Sequence, residues 1–357
     1  MLRAGLIGLP ASGKTTLFQL LTSAREAPRT HGKAEANVGI SRVPDDRLDR
    51  LTALFQPKRR VPATVEFADM AAGRADAATL LDVAAYRQAD ALLHVVRAFR
   101  TDAVPHPKGS IDPVRDARLI EEEMVLADLG VVERRLERLA KDLKKTPSVD
   151  LKQEEVVLEQ CRASLEQGRA LRALGLSRED GRRLRGFQLL SAKPLLVVVN
   201  LDEADLQAGR AAPPALDAFL GEVGAKAVEV CAKIELEIAQ LDAADARAFL
   251  ADLGLGESGL DRVIRAAYDL LGYISFLTVG EDECRAWSIP RGTPAIEAAG
   301  AIHSDIQRGF IRAEVVPADR LLARGSLAAC RDHGELRLEG KDYIVADGDC
   351  INFRHAT

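Results

Sequence analysis

The run Gly8-Leu9-Pro10-Ala11-Ser12-Gly13-Lys14-Thr15 contains the residue types needed to wrap a phosphate chain, at the spacing GxxxxGK[ST]. Glycines free the backbone to turn its N–H groups inward, and Lys14 is long enough to reach the outer phosphates. Thr15 offers a hydroxyl to Mg²⁺, and Thr16 continues the first helical turn behind it. The motif lies between the apolar run LRAGLIG and the helically spaced TTLFQLLTSA, the strand–loop–helix context in which it acquires meaning. Gly8, Ala11, Ser12, Gly13, Lys14, Thr15 and Thr16 are therefore expected to bind a nucleotide.

Three further groups follow in order. Asp69 ends the strand-like TVEFADM, where a carboxylate can hold Mg²⁺ through water or can cap a helix. Asn200-Leu201-Asp202-Glu203 follows the apolar PLLVVVN, the place for a loop that reads a base. The guanine-reading pattern is NKxD; here Leu201 replaces the lysine and Glu203 the aspartate, so the longer side chain misplaces its carboxylate and ATP is favoured over GTP. Cys231-Ala232-Lys233, after AVEV, has the form of the SAK loop that flanks a base.

The elements that must position these residues alternate between strand and helix. Strands are predicted at 64–70, 91–99 and 194–201, implying an α/β fold with a parallel, G-domain-like sheet. Between 119 and 187 the chain turns charged and leucine-rich, with Val125, Leu129, Val132, Leu136, Leu139 and Leu143 forming a heptad seam. The break at Thr146-Pro147-Ser148, followed by Leu158, Cys161 and Leu165, predicts an inserted antiparallel helical hairpin. Arg134, Arg135, Arg138, Lys141, Lys144 and Lys145 make its tip basic, as a solvated face or as an RNA contact. After 272, ISFLTVG, ECRAWSI, FIRAEVV, LRLEG, YIVADGD and CINFR predict a small β-rich domain. The organisation expected is thus 1–118 and 188–271 for the nucleotide domain, 119–187 for the hairpin and 272–357 for the last domain.

Composition is compatible with this plan. The 357 residues are 47% apolar and 29% charged, which excludes a disordered chain, and no apolar run approaches a membrane span. A net charge of −5 confines any nucleic-acid contact to a local patch. Five scattered cysteines without a CxxC pair favour buried reduced thiols, and the amino terminus does not read as a targeting peptide, so the cytoplasm is expected.

Taken together, the motifs, the hairpin and the carboxyl-terminal passages RAWSIPRGTPAIEAAGAIHSDIQRGFIRAEVV and RLEGKDYIVADGD make the chain resemble the YchF or Obg-like ATPase family over nearly its whole length. NVGISRVPDDRLDRL, HPKGSIDP and NLDEADL fit the same family. The resemblance implies a β-grasp (TGS) module at the carboxyl end and an Mg²⁺-dependent hydrolase of ATP or GTP. K⁺ is a further cation to test, the ribosome or its RNA is the expected partner, and neither membrane nor DNA is expected.

The departures from that family fall in the switches. Lys33 stands where the first switch supplies a Mg²⁺-binding threonine, with Thr30 as a substitute nearby. The second switch reads Asp69-Met70-Ala71-Ala72-Gly73, so Ala72 loses the backbone freedom of glycine. His106 matches the family's histidine that replaces a water-positioning glutamine. Lys33 and Ala72 also suit an alternative, a nucleotide-binding adaptor that does not hydrolyse and acts through its TGS module.

Overall fold

The computed structural model describes residues 3–22, 37–69, 83–146, 148–207 and 213–356. Its strands are β1 (Arg3–Ile7), β2 (Asn37–Arg42), β3 (Arg59–Val61), β4 (Thr64–Asp69), β5 (Ala91–Arg97), β6 (Leu195–Asn200), β7 (Lys226–Val230), β8 (Tyr273–Thr278), β9 (Glu283–Pro290), β10 (Phe310–Pro317), β11 (Arg337–Glu339) and β12 (Asp349–His355). The helices are α1 (Lys14–Thr22), α2 (Asp46–Phe55), α3 (Pro113–Lys145), α4 (Val149–Glu166), α5 (Arg178–Leu184), α6 (Glu203–Gln207), α7 (Pro214–Val223), α8 (Ala232–Ile238), α9 (Ala243–Asp252), α10 (Gly259–Leu270), α11 (Ala295–Ile302), α12 (Ser304–Arg308), α13 (Ala318–Arg324) and α14 (Leu327–Asp332). Two compact units result: 1–40 with 66–267, and 41–65 with 268–357.

The larger unit is built on a sheet of order β2-β4-β1-β5-β6-β7. β4, β1, β5, β6 and β7 run parallel, as the alternation of apolar runs and helices predicts. β5 and β6 are buried at every position, the pattern of strands covered on both faces. Register sets Ile7 beside His94 and His94 beside Val197, so the strand leading into the phosphate loop is braced by the centre of the sheet.

Helix α3 does two jobs in one rod. Asp112 caps it by accepting the N–H of Arg115, Pro113 suits its first turn, and Lys144 and Lys145 complement the dipole in its last turn. Its first half buries Ala117, Ile120 and Met124 with the sheet strands, while Val125, Val132, Leu136 and Leu139 pack on Val157, Leu158, Cys161 and Leu165 of α4. The heptad seam is therefore the hairpin interface. Each fully buried leucine along it contributes about 1.5–3 kcal/mol of transfer free energy. Arg135 pairs with Glu154 across the hairpin; Arg134, Arg138, Lys141, Lys144 and Lys145 point to solvent.

The smaller unit carries the sheet β11-β10-β12-β8-β9-β3. Omitting the edge strand β3, the order and the parallel β12–β8 pair are those of a β-grasp, with α11 over the core of Phe276, Ile289, Val315 and Phe353. YIVADGD is a correction to the sequence reading: only Ile344 of it makes an isolated bridge, to Pro294, and the strand begins at Asp349. Residues 41–65, read from sequence with the nucleotide domain, also group here. β3 pairs parallel with β9, Leu48 and Leu51 of α2 are fully buried, and Arg47 binds Asp45 and Asp347. Asp347 in turn accepts the N–H of Ser275 at 2.8 Å.

All five cysteines are buried and free. Among the described residues no helix is long and apolar enough to cross a membrane.

Candidate functional site

The loop after β1 turns through backbone conformations that its residues dictate. Gly8 has φ +150° and Gly13 φ +95°. A Cβ on Gly8 would strike the carbonyl oxygen of Val95, and one on Gly13 the carboxamide of Asn200. Ala11 adopts φ 60°, a left-handed conformation that costs a non-glycine residue about 1 kcal/mol. Lys14 donates to the carbonyls of Gly8 and Leu9, both at 2.7 Å, so its ammonium lies across the loop it would serve. Burial lowers Lys14 to about 8, opposed by the nearby charge of Asp69.

Thr15 and Asp69 meet. The threonine hydroxyl donates to Asp69 Oδ2 at 3.2 Å, joining the helix start to the end of β4. Asp69 is buried, and its carboxyl is raised above the usual range by desolvation, against the lowering effects of Thr15 and Lys14. A buried carboxylate beside a hydroxyl, partnered by so little positive charge, fits a divalent cation. No group of three or more His, Cys, Asp or Glu is placed to hold a metal among the described residues, so oxygens from a bound phosphate chain would have to complete the coordination.

Asn200 fastens this loop to the next. Its Nδ2 donates to the carbonyl of Ser12 at 3.2 Å, and its Oδ1 accepts the N–H of Ala232 at 3.1 Å. Asn200 and Cys231 are buried, and desolvation raises the Cys231 thiol. Lys233 binds Glu203 at 2.9 Å, which places an ammonium on the acid that would read the base.

Asn200, Glu203, Cys231, Ala232 and Lys233 line a cavity of about 690 Å³ with Gly13, Thr16, Phe99, Arg100, Leu201 and Leu236. Phe99, Arg100, Thr101 and Leu236 were not singled out from sequence. The loop after β5, at the carboxyl end of a central strand, was the available signal. Arg97, 3% exposed, shapes that loop by covering the Phe99 ring at 4.6 Å and donating to the carbonyls of Phe99 and Val104. Arg100 lies 3.5 Å from Asp205 on the rim. His94 is wholly buried in β5, and desolvation with the fields of Lys14 and Arg172 lowers it to about 3, so its ring is neutral.

His106 sits against the start of α3. Its Nδ1 accepts the N–H of Lys108 at 3.1 Å, its Nε2 is 2.8 Å from Asp116 at the start of α3, and its side chain is 4% exposed. Like Lys14, Thr15 and Asp69, it is absent from the cavity wall. Thr30, Lys33, Met70, Ala71, Ala72 and Gly73, the switch candidates, lie outside the described residues.

A parallel sheet whose loops converge in this way defines a P-loop protein of the G-domain type. Residues 273–356 match the family model YchF-GTPase_C, described as a protein of unknown function (DUF933). The Ribosome-binding ATPase YchF of Bacillus subtilis is 41% identical over 99% of both chains, and that of Escherichia coli O157:H7 is 39% identical over 98% of both. The structure of the Schizosaccharomyces pombe YchF GTPase superposes with a TM-score of 0.88 at 28% identity, covering 99% of this chain and 97% of that one. The chain belongs to the YchF family.

Asn200→Ala should destabilise the chain by about 1–3 kcal/mol in denaturant unfolding, because it leaves the buried Ala232 N–H and Ser12 carbonyl without partners. An unchanged midpoint would show that the clasp carries no such weight.

Proposed function

We propose that the chain is a cytoplasmic, ribosome-associated switch that binds a purine nucleoside triphosphate with Mg²⁺ and hydrolyses it slowly, ATP in preference to GTP. The observation that carries this reading is the meeting of Thr15 and Asp69 at 3.2 Å beside the phosphate loop. The names of the B. subtilis and E. coli relatives, ribosome-binding ATPases, support the substrate and the partner.

Thr15 and Asp69 would hold Mg²⁺, which neutralises charge on the outer phosphates. Lys14 would exchange its two loop carbonyls for phosphate oxygens, and the inward N–H groups would take the rest. Phe99 and Leu201 offer apolar surface to a purine. Glu203, one methylene longer than the guanine-reading aspartate and held by Lys233, is poorly placed to accept two guanine N–H groups, which favours adenine.

A specific observation supports the second reading, a nucleotide-binding adaptor without turnover. His106 accepts the N–H of Lys108 at Nδ1, and its Nε2 lies 2.8 Å from Asp116 of α3, so its ring is held against its own loop and that helix.

Turnover of ATP and GTP by the purified protein, with and without Mg²⁺, K⁺ and ribosomes, tests the proposal. We expect Mg²⁺-dependent ATP turnover exceeding that of GTP; tight nucleotide binding with no turnover in any arm would establish the adaptor instead. His106→Gln should leave kcat within about threefold, since general-base or water-positioning residues cost about 100-fold on removal. A 100-fold fall with unchanged ATP affinity would assign His106 to the chemistry.

The pH dependence follows from Lys14, which burial lowers to about 8 and which an adjoining phosphate would raise. ATP affinity should be flat below about pH 8 and weaken above it, with net proton uptake on binding. Calorimetry at pH 8.5 or so, in buffers of different ionisation enthalpy, reads that uptake directly.

A further inference from the structure

A second cavity, of about 630 Å³, opens at the amino ends of β5 and β6, where Asp90 and Pro194 lead into the strands. The phosphate loop follows the carboxyl end of parallel β1, so the two cavities lie at opposite ends of the same sheet. Its walls come from Arg87–Asp90, from the chain leaving the hairpin at 171–177, from α5, and from 188–194.

The charges in those walls do not cancel. Arg87 is matched by Asp128 at 3.2 Å, a fully buried carboxylate that also accepts the N–H groups of Leu190 and Ser191 and the Ser191 hydroxyl. Arg172 is matched by Glu121 at 2.7 Å. That leaves Arg185 and Lys193 against Asp90 alone, whose carboxylate accepts the N–H of Arg3. Arg185 is exposed and has no ionic partner among the described residues. Lys193 is partly buried, with its ammonium on the carbonyls of Arg87 and Ala89, and burial lowers its pKa against the pull of Asp90 and Asp128. Leu171, Leu184, Leu189 and Ala192 give the same cavity apolar lining. One wall residue, Gln188, holds φ 51° and offers its carbonyl to Arg87. Outside the phosphate loop, left-handed backbone at a non-glycine residue occurs among the described residues only here and at Gln56, and such outliers gather at functional sites.

We propose that this cavity is a second ligand site, for a small organic anion whose single carboxylate, sulfonate or phosphate group pairs with Arg185 and Lys193 while an apolar body lies on Leu171, Leu184 and Leu189. The volume is that of a small-molecule pocket. Arg185 belongs to the chain returning from the hairpin and Lys193 to the entry of β6, so such a ligand would clamp the hairpin base to the sheet. The proposal does not depend on what the first cavity binds.

The full-length protein titrated with 8-anilinonaphthalene-1-sulfonate tests it, with and without saturating ADP, using decanoate and decanol as competitors. Saturable one-site binding, displaced by decanoate but not by decanol and unaffected by ADP, is expected. Arg185→Glu should weaken it at least tenfold. Gly181→Phe should weaken it at least tenfold: Gly181 lines the cavity, and a Cβ there meets nothing within 4 Å, so the larger side chain starts without a clash. Non-saturating binding, displacement by ADP, equal displacement by decanol, or unchanged affinity in both variants would overturn the proposal.

Discussion

One carboxamide at the end of β6 has to satisfy two backbones at once, the carbonyl of Ser12 and the N–H of Ala232. Asparagine is the side chain with donor and acceptor at the right separation for that task. Because the group is buried, either bond left unmade would cost its full desolvation, so the loops carrying Ser12 and Ala232 are held at a fixed spacing. The constraint reaches back into composition. Gly13 must be glycine because Asn200 occupies the space a Cβ would need. The cavity walls from Gly13 to Lys233 follow from that pairing.

Away from the cavity, the larger unit relies on buried charge. Asp128, on the same rod that forms half of the hairpin, takes two backbone N–H groups, a hydroxyl and a guanidinium, a fully satisfied arrangement that lets a carboxylate sit where no water reaches. Arg172 does the converse, reaching from the chain that leaves the hairpin to Glu121 and to the carbonyls of Lys193 and Val223. Apolar packing makes the hairpin; these two charges fix its exit to the sheet.

The legible parts of the sequence were those governed by local pattern. GxxxxGKT, the apolar strands and the seam from Val125 to Leu143 each announce themselves through spacing, and β1, β4, β5, β6, α3 and α4 lie where that spacing put them. Phe99 and Arg100 were not legible, since what selects them is the direction in which β5 ends. A water-positioning role for His106 comes by resemblance alone, and only the fold brings Asp116 against it, ten residues on. YIVADGD has the alternation of a strand, but Asp349 turns its carboxylate to the N–H of Ala346 and to Tyr343, closing a turn in its place. The grouping of 41–65 with the carboxyl-terminal unit depends on pairing between distant segments, which no window of sequence displays.

That last pairing bears on how the protein is made. Synthesis from the amino end delivers β3 and α2 long before β9 and α13 exist, so Leu48, Leu51 and the unpaired edge of β3 must wait for residues some 200 positions later. The waiting segment lies between β2 and β4, and so between Thr15 and Asp69 in sequence. Until β8 to β12 emerge, α2 and β3 lack the sheet they join, whereas β2 belongs to the other sheet, beside β4. A nascent chain can thus form the loop from Gly8 to Thr15 while α2 and β3 still wait for partners that lie some 200 residues further along the chain.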